Sequence, residues 1–204
     1  MKLLHVDSSI LGNQSVSRQL SAEVVAKLLA SAPGLEVTYR DLAAEHVPHL
    51  SGHTLPAAAA APGERSAALQ QDIALGNQVL EEFLAADIVV IGAPMYNFGI
   101  SSQLKSWIDR LAIANKTFRY TEKGPEGLAG AKRVIIVSSR GGFYGADTPM
   151  APLDMQEPYL RAIFGFFGVK SIEYVRAEGI ATGAEQRQRA IEAAKREIET
   201  LKAA

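Results

Sequence analysis

The chain has no cysteine among its 204 residues. Disulfides, thiolate nucleophiles and cysteine-ligated metals are therefore excluded, and any redox chemistry must be carried by a bound cofactor. A positive excess is missing too. Lys and Arg number 21 against 22 Asp and Glu, a net charge of −1, whereas nucleic-acid and polybasic membrane binding need surplus cations. The same near-neutrality speaks against a strongly acidic electron shuttle steered by charge. No stretch approaches the roughly 18 consecutive apolar residues of a membrane span. Met1 to His5 also runs straight into a strand pattern without the apolar region and cleavage site of a signal peptide. The expected compartment is the cytoplasm.

What is present suits one compact domain over residues 1–204, since 48% of residues are hydrophobic and only 21% charged, enough for a sizeable core. Branched apolar runs at residues 2–7, 35–40, 87–93, 133–138 and 171–176 predict five strands. Between them lie helical stripes: Val16, Leu20, Val24 and Leu28; Leu69, Ile73, Leu80, Phe83 and Leu84; Leu104, Trp107, Ile108 and Leu111. Residues 152–167 predict a further helix, interrupted by Pro158 and Gly165. The last opens with the capping-box spacing of Thr182-Gly183-Ala184-Glu185. Strands apolar throughout, such as Ile88-Val89-Val90-Ile91, belong in a parallel sheet covered on both faces. The predicted fold class is thus α/β, a doubly wound five-stranded parallel sheet of flavodoxin-like order 2-1-3-4-5, with its crevice at the carboxyl ends of strands one and three. Residues 41–65, with alanines at 57–61, read as a surface excursion, and 115–130 as a long polar connection of the kind that forms lids or interfaces.

Three loops fall at strand ends. The first, Ser8 to Ser17, is rich in hydroxyls, has no lysine and leads into a helix start. It lacks both the P-loop signature and the three spaced glycines of a dinucleotide site, so it reads as a cradle for one terminal phosphate. FMN is the natural guest, although serines before a helix are also ordinary caps. The second, Gly92 to Ile100, places Met95, Tyr96 and Phe98 between Pro94 and Gly99, an apolar wall for a flat ring system. The third, Ser138 to Tyr144, has paired glycines whose backbone can approach a ligand edge. Each alone has a bland reading as core, cap or turn, but their joint order is far more specific.

At these residues the chain resembles the FMN-dependent NADH:azoreductase family, quinone-reducing members of the flavodoxin-like superfamily. The likeness runs essentially end to end. It is carried by Ser9 with Ser15-Val16-Ser17, by Pro94-Met95-Tyr96-Asn97-Phe98, by the stretch from Phe118 to Leu128, and by Ser139-Arg140-Gly141-Gly142. The resemblance implies that Ser9, Ser15, Val16 and Ser17 hold the FMN phosphate, that Met95, Tyr96, Asn97 and Phe98 line the isoalloxazine, and that Ser139, Arg140, Gly141 and Gly142 bind its pyrimidine side. It implies a homodimer with the flavin near the subunit interface. Phe118, Tyr120 and residues around Phe164 are candidate lid groups, and Phe143 joins Phe118 and Tyr120 as a candidate substrate contact. NADH is the implied donor, with NADPH admissible; quinones and aromatic azo compounds are the implied acceptors, in ping-pong turnover without a catalytic side chain or a metal. The Ala/Pro-rich stretch at 57–62 departs from the family's loops.

Other residues carry less. His46, His49 and His53 are spaced like loop metal ligands beside Glu45, but Pro48 and Gly52 break any common face. Asp7 reads as a turn or cap carboxylate, Trp107 as core, and Arg18 as either a phosphate contact or a solvated charge. A serine hydrolase would need a histidine in the loops after strands three to five, where there is none. A receiver domain would need an acidic cluster, and Asp7 stands alone. A flavodoxin-type carrier without direct NADH oxidation is the alternative to the enzyme.

Overall fold

A computed structural model describes residues 1–55 and 65–202, so the alanine tract at 57–61 lies outside the described residues. In chain order the elements are β1 (Lys2–Asp7), α1 (Val16–Ser31), β2 (Glu36–Asp41), α2 (Ala67–Ala85), β3 (Ile88–Pro94), α3 (Ser102–Leu111), β4 (Phe118–Thr121), β5 (Gly124–Gly127), β6 (Arg133–Ser139), α4 (Gln156–Phe166), β7 (Ser171–Ala177) and α5 (Ala184–Glu199). Five strands pair in parallel in the order β2-β1-β3-β6-β7.

The side-chain alternation of the strands builds two cores. Val89 and Ile91 of β3, with Val134 and Ile136 of β6, meet Phe83 of α2, Trp107 of α3 and Phe164 of α4. Val90, Ile135 and Val137 point the other way, onto Leu20, Val24 and Leu28 of α1 and Ile191 and Ala194 of α5. All seven β3 residues are buried, the signature of a strand covered on both faces. The single tryptophan, Trp107, is fully buried, and its indole N–H has no partner among the described residues. An unsatisfied donor costs about 1–3 kcal/mol. Burying an indole gains about 4–6 kcal/mol at the usual coefficient for its area, so the site is net stabilising. No helix among the described residues is long and apolar enough to cross a membrane.

The strand order reverses at β1, with β2 on one side and β3 on the other, which opens the crevice at the carboxyl ends of β1 and β3. Asp7 and Gly92 face each other across this pair, and a Cβ at Gly92 would overlap the Asp7 carboxylate. Glycine is therefore required there by the buried acid beside it.

Three local expectations are corrected. The polar connection at 115–130 contains a hairpin, with Phe118 opposite Gly127 and Thr121 opposite Gly124. It docks where α4 ends: Ala129 N–H donates to Phe167 O (2.8 Å), and a Cβ at Gly127 would overlap the backbone of Phe167 and Gly168. Pro158 does not interrupt α4, because it sits in the first turn, where its missing N–H would have had no partner. The capping box at 182–185 does not form. Thr182 donates to Gly179 O (2.8 Å) instead, and Gly183, at φ 138°, stands at the N-cap of α5 without a side-chain cap.

Candidate functional site

Ser15 caps α1 with an extended backbone, its Oγ accepting from Arg18 N–H at 3.2 Å, and it stands 3.0 Å from Ser17 Oγ. Ser9, Ser15 and Ser17 are all buried. Val16 and Ser17 occupy the first two helical positions, and their N–H groups have no acceptor among the described residues. Buried donors without acceptors are costly, and here they lie with two hydroxyls at the positive end of a 16-residue helix. That donor set fits a phosphate.

Arg18 is not a solvated charge: its guanidinium is engaged by the protein. Its Nη1 and Nη2 grip Asp41 at the end of β2 (2.7 and 2.5 Å), while Nε and Nη2 donate to Ser9 O (3.1 and 2.8 Å). This clamp fixes the loop from behind, and Arg18 holds the Asp41 carboxyl below its ordinary range chiefly through the hydrogen bond. Asp7 lies in the same network, accepting from Ser21 Oγ (2.8 Å) and Tyr39 OH (3.1 Å). Although the Tyr39 residue is about half exposed, its hydroxyl meets this buried carboxylate; desolvation, then the charges of Asp7 and Asp41, push its pKa up to about 12. Because the folded value lies above the unfolded one of about 10, the Tyr39 contribution to stability is intact below that pH and lost as pH rises through about 12. Urea unfolding between pH 9 and 12, as round values spanning about 10 to 12, should show a fall that Tyr39→Phe reduces. An identical fall in the variant would contradict the coupling.

The wall loop is tied to the cradle through Tyr96, whose hydroxyl shares a hydrogen bond with Ser9 Oγ (3.2 Å) and accepts from Ile10 N–H (3.3 Å). Tyr96 and Gly99 exchange two backbone hydrogen bonds of 3.0 Å around Asn97 (φ 48°) and Phe98 (φ 71°). This is a type I′ geometry, so the turn is set by Asn97 and Phe98 rather than by Pro94 and Gly99. Asn tolerates the left-handed region; a phenylalanine there stores about 1–3 kcal/mol of strain. Phe98 is 42% exposed, and its carbonyl accepts from Met155 N–H at 3.0 Å. Met95 N–H donates to Ser139 O (2.9 Å), joining the second loop to the third.

In the third loop, Arg140, Gly141 and Gly142 direct their carbonyls to the N–H groups of Ile180, Ala181 and Gly179 (3.1, 3.1 and 2.8 Å). The N–H groups of Gly141 and Gly142 have no acceptor among the described residues. A Cβ at either glycine would make only ordinary contacts of 3.4 Å or more with the protein. Internal crowding therefore does not explain them, and the space beside each leaves room for close approach to its backbone. Ser139 is buried, and the Arg140 side chain turns inward.

The aromatic candidates separate. Phe118 is buried against Phe166 (centroids 4.6 Å) and Phe164 is fully buried in the core, so neither presents a free lid surface. Tyr120 is 76% exposed on the hairpin, and Phe143 covers Gly179 in the β7–α5 loop. Sequence reasoning missed an apolar cavity of about 890 Å³ beside the wall, lined by Ile10, Tyr96, Ile100, Met155, Pro158 and Tyr159. These come from three separate segments, with no common motif to reveal them. Of the histidines, His49 Nδ1 pairs with Ser106 Oγ (2.8 Å) and His46 Nδ1 lies 3.3 Å from Leu42 O. No group able to hold a metal occurs among the described residues.

A parallel sheet carrying donor-bearing loops at the carboxyl ends of β1 and β6, with an aromatic wall at that of β3, defines a mononucleotide-binding protein of flavodoxin type. The family model for the flavodoxin-like fold matches residues 1–201. An FMN-dependent NADH:quinone oxidoreductase of Rhizobium meliloti (strain 1021) is 57% identical over 97% of this chain and 95% of its own. The FMN-dependent NADH:quinone oxidoreductase 2 of Pseudomonas aeruginosa is 61% identical over 97% and 96%. Among solved structures, an azoreductase from Bacillus anthracis str. Sterne superposes with a TM-score of 0.85 at 31% identity, over 98% of this chain and 97% of that one. An FMN-dependent NADH-azoreductase from Bacillus anthracis str. Ames Ancestor, in complex with FMN, gives 0.86 at 27% identity over 97% and 95%. The chain belongs to the flavodoxin-like family, among the FMN-dependent NADH:quinone oxidoreductases.

Proposed function

We propose that this chain is an FMN-dependent NADH oxidoreductase that reduces quinones to hydroquinones and aromatic azo compounds to amines by ping-pong turnover. The observation that carries the reading is the set of partnerless N–H groups at Val16, Ser17, Gly141 and Gly142, grouped on loops at one end of the sheet. Ser9, Ser15, Val16 and Ser17 would hold the phosphate, Met95 through Phe98 would face the ring system, and the segment Ser139 through Gly142 would meet its pyrimidine edge, with the free N–H groups of Gly141 and Gly142 as the donors. Bound FMN supplies hydride transfer between NADH and the acceptor.

The protein's own part is orientation. The apolar cavity beside Tyr96 and Asn97 suits flat aromatic acceptors. Donor and acceptor would use it in turn, and an azo bond would need two such turnovers. NADPH is admitted as an alternative donor. A homodimer would cover the exposed Ile10, Met155 and Tyr120, with Tyr120 and Phe143 as substrate contacts. The whole chain would act as one cytoplasmic domain.

The test is anaerobic. NADH should bleach the visible flavin bands of the purified protein, and added quinone or azo dye should restore them. A bound flavin that NADH leaves unbleached would reduce the protein to an electron carrier.

A further inference from the structure

Arg140 stands in a run that resemblance assigns to the flavin, yet its guanidinium is spent inside the protein. The residue is 1% exposed. Its Nε donates to Ser138 Oγ (2.9 Å) and Nη1 to Glu178 Oε1 (3.1 Å), while Nη2 donates to Glu157 Oε1 (2.5 Å) and pairs with Asp154 Oδ2 (3.0 Å). Three of these partners lead on to the walls of the crevice: Ser138 and Asp154 to the wall segment and Glu178 to the edge turn. Ser138 Oγ donates to Gln156, whose amide donates to Ala93 O (3.1 Å) at the root of the wall. Asp154 Oδ1 accepts from Gln156 and Glu157 N–H (2.9 and 3.1 Å), and the intervening Met155 N–H donates to Phe98 O (3.0 Å). Glu178 Oε1 also accepts from Tyr144 N–H (2.9 Å), closing the turn that follows Gly141 and Gly142.

Arg176 donates to both oxygens of Glu157 (2.6 and 2.8 Å), sharing Oε1 with Arg140, so three carboxylates share two cations. Removing Arg140 would leave Asp154 and Glu178 without the cation that joins them. Their repulsion would spread the loops they anchor. Lysine could satisfy only part of this set, because a single ammonium cannot reproduce a planar fork with several fixed donors.

We infer that Arg140 is a positioning residue: its buried side chain sets the spacing between the Phe98 wall and the Gly141-Gly142 edge turn, and does not itself contact FMN. The inference rests on the FMN reading above.

The control is Lys132, another buried cation, at the opposite end of β6, where Nζ donates to Leu84 O and Ala86 O (2.7 and 2.6 Å). FMN titration of the apoproteins, the visible spectrum of the bound flavin and urea unfolding of the apoproteins would be recorded for Arg140→Met, Arg140→Lys, Asp154→Asn and Lys132→Met. Both Arg140 variants should bind FMN at least about tenfold more weakly, with a shifted visible band. Asp154→Asn, whose amide oxygen still caps α4, should weaken binding by roughly threefold with a smaller shift. Lys132→Met should lose stability while leaving affinity and spectrum unchanged. Wild-type affinity and spectrum in Arg140→Lys would overturn the inference, as would an equal loss of affinity in Lys132→Met. Should Arg140→Met fail to fold, unchanged affinity and spectrum in Asp154→Asn would do the same. A wild-type apoprotein that takes up no FMN would overturn the function reading together with this inference, whereas wild-type uptake matched by Arg140→Lys removes the positioning role alone.

Discussion

Ser17→Asp is expected to abolish FMN retention while leaving a folded apoprotein. Ser17 is fully buried at the second position of α1, with its hydroxyl 3.0 Å from Ser15 Oγ. Two effects of the new carboxylate oppose one another. Near a helix N-terminus a negative side chain gains about 0.3–1 kcal/mol from the dipole, which favours the folded apoprotein. Against a phosphate about 4 Å away the repulsion is about 4 kcal/mol per pair of unit charges at an intermediate effective dielectric, roughly a thousandfold in affinity. The second effect dominates once phosphate binds. Ser17→Ala, which removes only a donor, should weaken binding by about fivefold to tenfold. Titration of each apoprotein with FMN, beside its thermal unfolding, separates the cases. Unchanged flavin affinity in Ser17→Asp would remove the phosphate from the start of α1.

Gly127→Ala should produce the largest loss of stability, although the residue is only partly buried on a short hairpin. Its added methyl would overlap Phe167 C, Gly168 N and Gly168 Cα, all backbone atoms that cannot rotate away. Gly168, at φ 92°, has the reciprocal contact with Gly127. Relief would require the hairpin to withdraw from the end of α4, breaking the Ala129–Phe167 hydrogen bond and parting Phe118 from Phe166. A loss of about 3 kcal/mol is expected, at the upper end for overpacking, because backbone rather than side chain obstructs the new atom. Urea unfolding of the apoprotein measures it. A change within about 0.5 kcal/mol, the range of ordinary surface substitutions, would show that the two backbones do not meet there.

The sheet was legible because its strands are apolar on both faces: Ile88 to Ile91 and Val134 to Val137 announce themselves without any partner in view. The cradle was legible for a similarly local reason, since Ser15, Val16 and Ser17 act through a helix start that follows them directly. The hairpin was hidden. Gly124-Pro125-Glu126-Gly127 has poor strand composition, and docking to Gly168, far along the chain, accompanies its place in the fold. Phe98 was recognised as a wall residue but not as a left-handed one, because nothing in a phenylalanine advertises that conformation. The partners of the Arg140 side chain were hidden for the same non-local reason: Asp154, Glu157 and Glu178 lie well downstream, and only the folded β6–α4–β7 arrangement gathers them around it.

The lone indole of Trp107 sits in a dry compartment on α3, the helix that continues from the wall loop. Its emission should be blue-shifted, and a yellow guest in the crevice would accept that energy by resonance transfer. The molecule thus carries a built-in optical gauge of occupancy, one that needs no attached dye and could follow filling and emptying in a stopped-flow instrument.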